Sequence, residues 1–418
     1  MTKSIAKTRN KFNGKILIMS VDVGKDLNFG YGRIPNGEDM KIFSFANTYA
    51  GYTDFLAKAI AFKEAHGLES IKVGLESTGV YGGPFIYFLH ERDIQTVLVN
   101  PFHTKRLKEL EGNSPNKTDK KDPKVIASIV ELGHYLKVVL PEGVSAELRS
   151  LAHARERCLV RCNSLVNQLH DLTYYLFPEF LTVMKDVTLK SSRYLLEKMP
   201  LPTDIVTYGI ESLTGILRKV SHGKLGEERA KALYASAIHS VGVREGQSSI
   251  VFEIHMILRM LQAQYDIIEE LEEKMADNLK QIPYATSLLS LKGAGEVTVA
   301  GLVGEFGDFT QFRTQREVLK FVGFDLYEIS SGRHKGQRHI SKRGRSLARK
   351  LLYFSAINTV RKNGIMRAYY EQHLKTGMKK NKALIAVARK LLGIMFALVR
   401  ENTLYVENYQ ASQYRKAA

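Results

Sequence analysis

Four acidic residues carry the chemistry this chain is best equipped to do: Asp22, Glu76, Asp119 and Asp122. Asp22 interrupts the apolar run Ile16–Val23, and Glu76 closes a second run, Ile71–Glu76. Asp119 and Asp122 follow a basic stretch and are three apart, so they share a face wherever that stretch is helical. An ionised carboxylate among apolar neighbours is costly unless something cationic neutralises it. Several converging on one point repel each other, and Mg²⁺, which prefers hard oxygen ligands, relieves that repulsion. Two such ions about 3.5–4 Å apart activate an attacking oxygen and stabilise the leaving oxygen of a phosphodiester. On residue types alone the quartet is either such a metal site or a set of local strand irregularities. Asp26 lies beyond the group, and Gly24 before it marks a bend in the strand.

Two further segments have chemical content. Lys292-Gly293-Ala294-Gly295-Glu296 separates two apolar helical stretches. Such a hairpin at Gly293 and Gly295 presents backbone N–H groups to a phosphate, helped by the positive end of the next helix; an ordinary interhelical turn has the same pattern. Ser330 through Arg349 is the most basic stretch, with Arg333, Lys335, Lys342, Arg343 and Arg345 as cations for a nucleic-acid backbone. Its bland reading is a loop that merely neutralises phosphates. The sharper one makes Ser331 or Ser330 a nucleophile, which needs a base or a metal to activate the hydroxyl.

The whole-chain numbers favour a polyanionic partner. In 418 residues, 61 Lys plus Arg stand against 43 Asp plus Glu, a net charge of +18. Nucleic acid is the commonest partner of such an excess. No run of about 18 apolar residues and no signal-peptide pattern is present, which argues against membrane insertion. No Walker-type Gly-Lys-Ser/Thr motif accompanies the glycines, so ATP is not expected. The two cysteines, Cys158 and Cys162, are one helical turn apart and read as reduced residues on a helix, consistent with a cytoplasmic protein.

The elements that must position these residues fall into three regions. After a basic arm (1–14), residues 15–145 alternate strand-like and helix-like pieces. Lys15–Val23, Lys41–Phe45, Ile71–Glu76 and Thr96–Asn100 read as strands, with Gly24–Tyr31 as a strand hairpinning back. Thr53–His66 and Val80–Arg92 have helical spacing. The pattern predicts an α/β domain with one helix-covered sheet, suited to a ribonuclease-H-like core. Residues 146–282 are helical. Ser145–Phe177 forms one long helix ended by Pro178, 180–245 form short helices, and Ile250–Leu279 forms a second long helix. Its stripe Ile254, Leu258, Leu261, Tyr265, Ile268, Leu271 and Met275 is either a coiled-coil seam or a core-facing stripe. Residues 283–407 are mainly α, and 408–418 form a tail.

Taken in order, several fragments resemble one family. Val21-Asp22-Val23-Gly24-Lys25, Leu75-Glu76-Ser77-Thr78-Gly79-Val80-Tyr81 and Lys117-Thr118-Asp119-Lys120-Lys121-Asp122 are similar to the DEDD-type transposases of insertion sequences. So are Gly293-Ala294-Gly295, the stretch from Gly323 through Ser330-Ser331-Gly332 to Ile340-Ser341-Lys342-Arg343-Gly344, and Ala386–Leu392. The resemblance implies a RuvC-like N-terminal domain, a helical linker and a C-terminal transposase domain. It also implies Mg²⁺, with Mn²⁺ as a substitute, on Asp22, Glu76, Asp119 and Asp122. The family's serine nucleophile, which becomes covalently linked to DNA, aligns with Ser331 when counted from Gly323 and with Ser330 when counted back from Ile340. Implied partners are donor and target DNA, a structured bridge RNA that guides recognition, and further copies of the chain in a dimer or tetramer. Such an assembly builds its active sites from the acidic domain of one protomer and the serine domain of another. The chain departs from the family pattern at Pro123 and at Arg338, where a glycine is common. The expected activity is RNA-guided DNA recombination. Its rivals are a RuvC-like metal-dependent endonuclease that uses water, and a non-catalytic nucleic-acid-binding scaffold.

Overall fold

The computed structural model describes residues 15–35, 38–76, 79–111, 122–328, 336, 338–361 and 363–407. The chain forms two compact units that divide between Val139 and Leu140.

The first unit contains β1 (Ile16–Asp22), β2 (Leu27–Arg33), β3 (Phe43–Ala46), α1 (Tyr49–Ala65), β4 (Ser70–Glu76), α2 (Gly82–His90), β5 (Gln95–Val99), α3 (Pro101–Glu111), α4 (Asp122–Glu131) and β6 (Leu136–Lys137). Its strands form one six-stranded mixed sheet in the order β3-β2-β1-β4-β5-β6. β4 runs parallel to both β1 and β5, while β2, β3 and β6 are antiparallel additions. Side chains alternate along each strand, so β1 sends Leu17, Met19 and Val21 to one face and Ile18, Ser20 and Asp22 to the other. The first set packs with Phe55 of α1 and with Phe85 and Leu89 of α2. Ile18 packs with Val125, Ile126, Ile129 and Val130 of α4. Helices on both faces explain why β1 and β4 read as nearly unbroken apolar runs.

Two local features differ from the sequence expectation. Pro101 does close the β5 segment, but it also begins α3. Proline lacks only an N–H that the first helical turn leaves unbonded, and the Asn100 side chain accepts from the Phe102 N–H at 2.9 Å. A second concerns α4, which begins at Asp122 among the described residues although no helix was expected there, while Asp119 lies outside the described residues.

The second unit is helical. It holds α5 (Gly143–Leu176), α6 (Pro178–Met184), α7 (Lys190–Lys198), α8 (Pro202–Val220), α9 (Glu227–Ile238), α10 (Gln247–Leu279), α11 (Ala285–Leu289), α12 (Glu296–Phe306), α13 (Gln315–Val322), β7 (Leu326–Glu328), β8 (Arg338–Ile340), α14 (Ser346–Val360), α15 (Ile365–Lys375) and α16 (Lys380–Glu401). α5 and α10 lie antiparallel. Leu148 and Ala152 of α5 share one core with Met275 and Leu279 of α10. Leu169 and Leu176 share a second core with Ile254 and Ile257. The α10 stripe is therefore turned toward its own chain, and Arg155 bridges to Glu272 at 2.6 Å between the two cores. One core belongs to α6–α9 and the other to α11–α16. Cys158 and Cys162 are buried free thiols on α5, and burial pushes the Cys162 thiol up. Among the described residues, no helix is long and apolar enough to cross a membrane.

Candidate active site

Asp22 and Glu76 are the last residues of two hydrogen-bonded parallel strands. The register pairs Val21 with Leu75, which brings the two acids to the same end of the sheet. Their side is set by what lies beneath them. Two residues before Glu76, a Cβ added to Gly74 would stand 2.5 Å from Val130 Cγ2 and 3.5 Å from Ile126 Cγ2, so Gly74 faces α4. By alternation Glu76 has the same aspect, as does Asp22, which follows Ile18 and Ser20 on the α4 face. The buried Ser20 hydroxyl donates to the Pro123 carbonyl at 2.6 Å, which ties the start of α4 to β1 two residues before Asp22. Asp122, the first residue of α4, is only 9% exposed. Three of the four expected acids thus share one unit, one sheet face and one strand-end region. Pro123 fits this geometry, because it occupies the first turn of α4.

Asp122 already has a cation beside it. Lys108 Nζ of α3 lies 2.5 Å from Asp122 Oδ2, with the Asp122 side chain 13% and the Lys108 side chain 34% exposed. Among the described residues, no group of three His, Cys, Asp or Glu side chains lies close enough to hold an ion. The donor types nonetheless suit a hard divalent cation: all three are carboxylates, and all three are at least partly buried.

Sequence reasoning missed two asparagines that hold this region. Asn28, fully buried on β2, accepts from the Gly24 N–H at 3.1 Å and donates to Asn47 Oδ1 at 3.2 Å. Asn47 in turn donates to the carbonyls of Gly24, Lys25 and Tyr81 and accepts from the Tyr52 hydroxyl. One side chain thereby joins the turn after Asp22 to the segment after Glu76. Gly24 is required at that turn, because a Cβ there would lie 2.2 Å from the Leu27 carbonyl oxygen. The available signal was Asn28, a polar residue inside a strand otherwise rich in glycine and aromatics.

In the second unit, Ser330, Ser331, Arg333 and Lys335 lie outside the described residues. β7 and β8 pair antiparallel, Tyr327 opposite His339, and Arg338 bonds Glu328 across the pair at 3.1 Å. Arg338 is thus an ordinary strand residue. Arg349 donates to the Val322 and Gly344 carbonyls at 2.7 and 3.0 Å, and Lys342 N–H donates to the Gly323 carbonyl. Lys342 and Arg343 are exposed. Arg345 is different: it lies over the Phe321 ring, and burial beside Arg149 pushes its pKa down to about 10, so it remains a cation at neutral pH. Its nearby acid is Glu305, 2% exposed, with Arg149 at 2.9 Å and His153 at 2.7 Å. Burial would raise the Glu305 pKa, but the His153 hydrogen bond and the charges of Arg149 and Arg345 hold it below the usual carboxylate value.

The glycine hairpin divides into two roles. Gly293 has φ +98°, and a Cβ there would lie 2.1 Å from Thr359 Oγ1, so packing on α14 accounts for that glycine. Gly295 is exposed with open space around it, at the N-cap of α12, although Glu296 places an acid in the same first turn.

A sheet with acids at adjacent parallel strand ends, joined in one chain to a basic helical unit, is the layout of an enzyme acting on nucleic-acid strands. A family profile described as a transposase, of the IS110 DEDD type, matches residues 19–178, and a second, the IS116/IS110/IS902 transposase family, matches residues 285–371. The chain belongs to this IS110-type DEDD transposase family. It is therefore a transposase, an enzyme of DNA strand cleavage and transfer. It is 21% identical over 93% of its length to an IS110 insertion-element protein of Streptomyces coelicolor, covering 95% of that protein. It is 21% identical over 96% of its length to the transposase of insertion sequence IS1111A of Coxiella burnetii, covering 94% of it. A pilin gene-inverting protein of Moraxella bovis is 25% identical over 46% of this chain and 57% of its own length.

Proposed function

We propose that this transposase cuts and rejoins DNA through a covalent serine–DNA link, using a RuvC-like acidic site in its first unit. The observation that carries the reading is the placement of Asp22, Glu76 and Asp122 on one sheet face at one strand end. Together with Asp119 they would hold divalent metal, Mg²⁺ in the first instance. Bound there, the metal supplies positive charge to the attacking and leaving oxygens of a phosphodiester. Ser331 (or its neighbour Ser330) loses its hydroxyl proton and forms an Oγ–P bond, while the P–O bond to one sugar oxygen breaks and that oxygen takes up a proton. A freed hydroxyl from another duplex then attacks the same phosphorus and releases the serine. The number of phosphoester bonds is conserved, so no nucleotide hydrolysis is needed. The net charge of +18 and the exposed Lys342 and Arg343 support binding to phosphate backbones. A relative named for inverting a gene supports strand exchange over simple cutting. The proposal extends to guidance by a structured RNA, which would leave the protein to bind shape and backbone. It also includes a homo-oligomer in which acids from one protomer serve the serine of another, acting in the cytoplasm.

The test is a denaturing gel of full-length protein incubated with DNA carrying the element's ends, the RNA encoded beside the gene, and Mg²⁺. A protein–DNA adduct that survives denaturation, and disappears in both Ser331→Ala and Asp122→Asn, supports the reading. Undiminished cleavage in Ser330→Ala/Ser331→Ala assigns the chemistry to water and a RuvC-like endonuclease.

A further inference from the structure

A groove of about 870 Å³ opens between α7 and α10, with Val220 at the end of α8 on its wall. α7 contributes Lys190, Arg193 and Lys198, and α10 contributes Arg259. The single acid on the wall, Glu197, pairs with Lys198 at 2.9 Å. Lys190 and Arg259 are exposed and make no ion pair among the described residues. Arg193 is held in place, donating to Gln262 at 3.1 Å and stacking over Tyr265 at 5.2 Å. Its Nε and His255 Nε2 are buried with no hydrogen-bond partner among the described residues. At the mouth, Phe252 leaves 64% of its surface exposed, and Met256, Met260 and Ile267 of the same helix are exposed as well, but Phe252 is the aromatic ring among them and the one that lines the groove.

Unpaired cations on both walls, a fixed guanidinium and an exposed ring match one ligand chemistry. Phosphodiester oxygens pair with Lys190 and Arg259, and an unstacked base lies against Phe252. A duplex hides its base faces, so the ring selects for a single strand. We infer that the α7–α10 groove is a binding site for single-stranded nucleic acid, built from residues other than those proposed for catalysis. The identity of the strand as a polyanion rests on the function proposed above, whereas its location rests on the groove alone.

Binding of short oligouridylate and oligodeoxythymidylate to the full-length protein, followed by fluorescence anisotropy across a salt series, tests this. In Lys190→Gln/Arg259→Gln the slope of log K against log salt is expected to fall by about 1.4, two contacts at about 0.7 each. Phe252→Ala is expected to weaken binding about tenfold. Saturating strand is expected to protect Lys190 from acylation, and the strand that protects at lower concentration identifies the source as RNA or DNA. Both changed surfaces are exposed, so helical circular dichroism confirms that the variants fold. Unchanged slope and affinity, unprotected Lys190, or protection by poly-glutamate but by neither strand would overturn the inference. Acylation needs no cleavage, so its failure is distinguishable from failure of the catalytic reading, which Asp122→Asn addresses.

Discussion

Lys108 and Asp122 form an ion pair in which both side chains retain some solvent contact. Pairs of this kind contribute up to about 1 kcal/mol. A divalent ion that uses Asp122 must compete with that ammonium, so Lys108→Ala is expected to bind Mg²⁺ about fivefold tighter, as measured by calorimetry without DNA. Equal affinity in the two proteins would show that Lys108 does not guard the site. Asp122→Asn removes the charge while keeping the shape, and strand cleavage is expected to fall at least a hundredfold with DNA affinity nearly unchanged. The strand-end positions of Asp22 and Glu76 were readable from the sequence because charge beside an apolar strand is costly and therefore conspicuous. Lys108 was not: one lysine among many has no mark in sequence, and its role depends on where α3 passes α4.

At the level of elements, the acidic site depends on how closely α4 rests on the sheet. Gly74 allows that approach, and Gly74→Ala would force a methyl to within 2.5 Å of Val130. Overpacking of this kind costs about 1–3 kcal/mol. The variant is expected to unfold at lower urea concentration and to lose more cleavage than binding, because α4 carries Asp122. Asn47→Ala should cost about 2 kcal/mol by leaving backbone carbonyls of the two strand-end turns without their donor. A wild-type melting temperature in that variant would remove the asparagine bridge from the account. β1 to β5, and the hairpin from β1 into β2, followed from apolar runs and glycine placement, whereas the short strands β6, β7 and β8 did not. The choice between seam and core for α10 did not, since both use the same spacing and differ only in which helix lies opposite.

At the level of the molecule, the second unit contains the buried acid Glu305, which links α12 to Arg149 and His153 of α5. Its folded pKa lies below the ordinary value of 4.5. Its contribution to stability is therefore complete above about pH 4.5 and is lost as pH falls through the depressed folded value. Glu305→Gln is expected to destabilise the protein by about 3 kcal/mol at pH 7, where Arg149 and Arg345 lose their counter-charge. The gap from wild type should narrow on acidification below pH 4.5, and a gap independent of pH in urea denaturation would refute this.

Composition and order alone were enough to indicate a polyanion-binding enzyme, an α/β region followed by long helices, and the acids at the strand ends. These properties depend on residue type and on local period, which a linear string contains in full. The α10 partner, the two separate cores, the asparagine bridge, the Lys108–Asp122 pair and the burial of Glu305 depend on folding. Each joins residues far apart in the chain, as Ser20 with Pro123 and Arg149 with Glu305 do, and such pairings exist only when packing brings distant segments within a few ångströms.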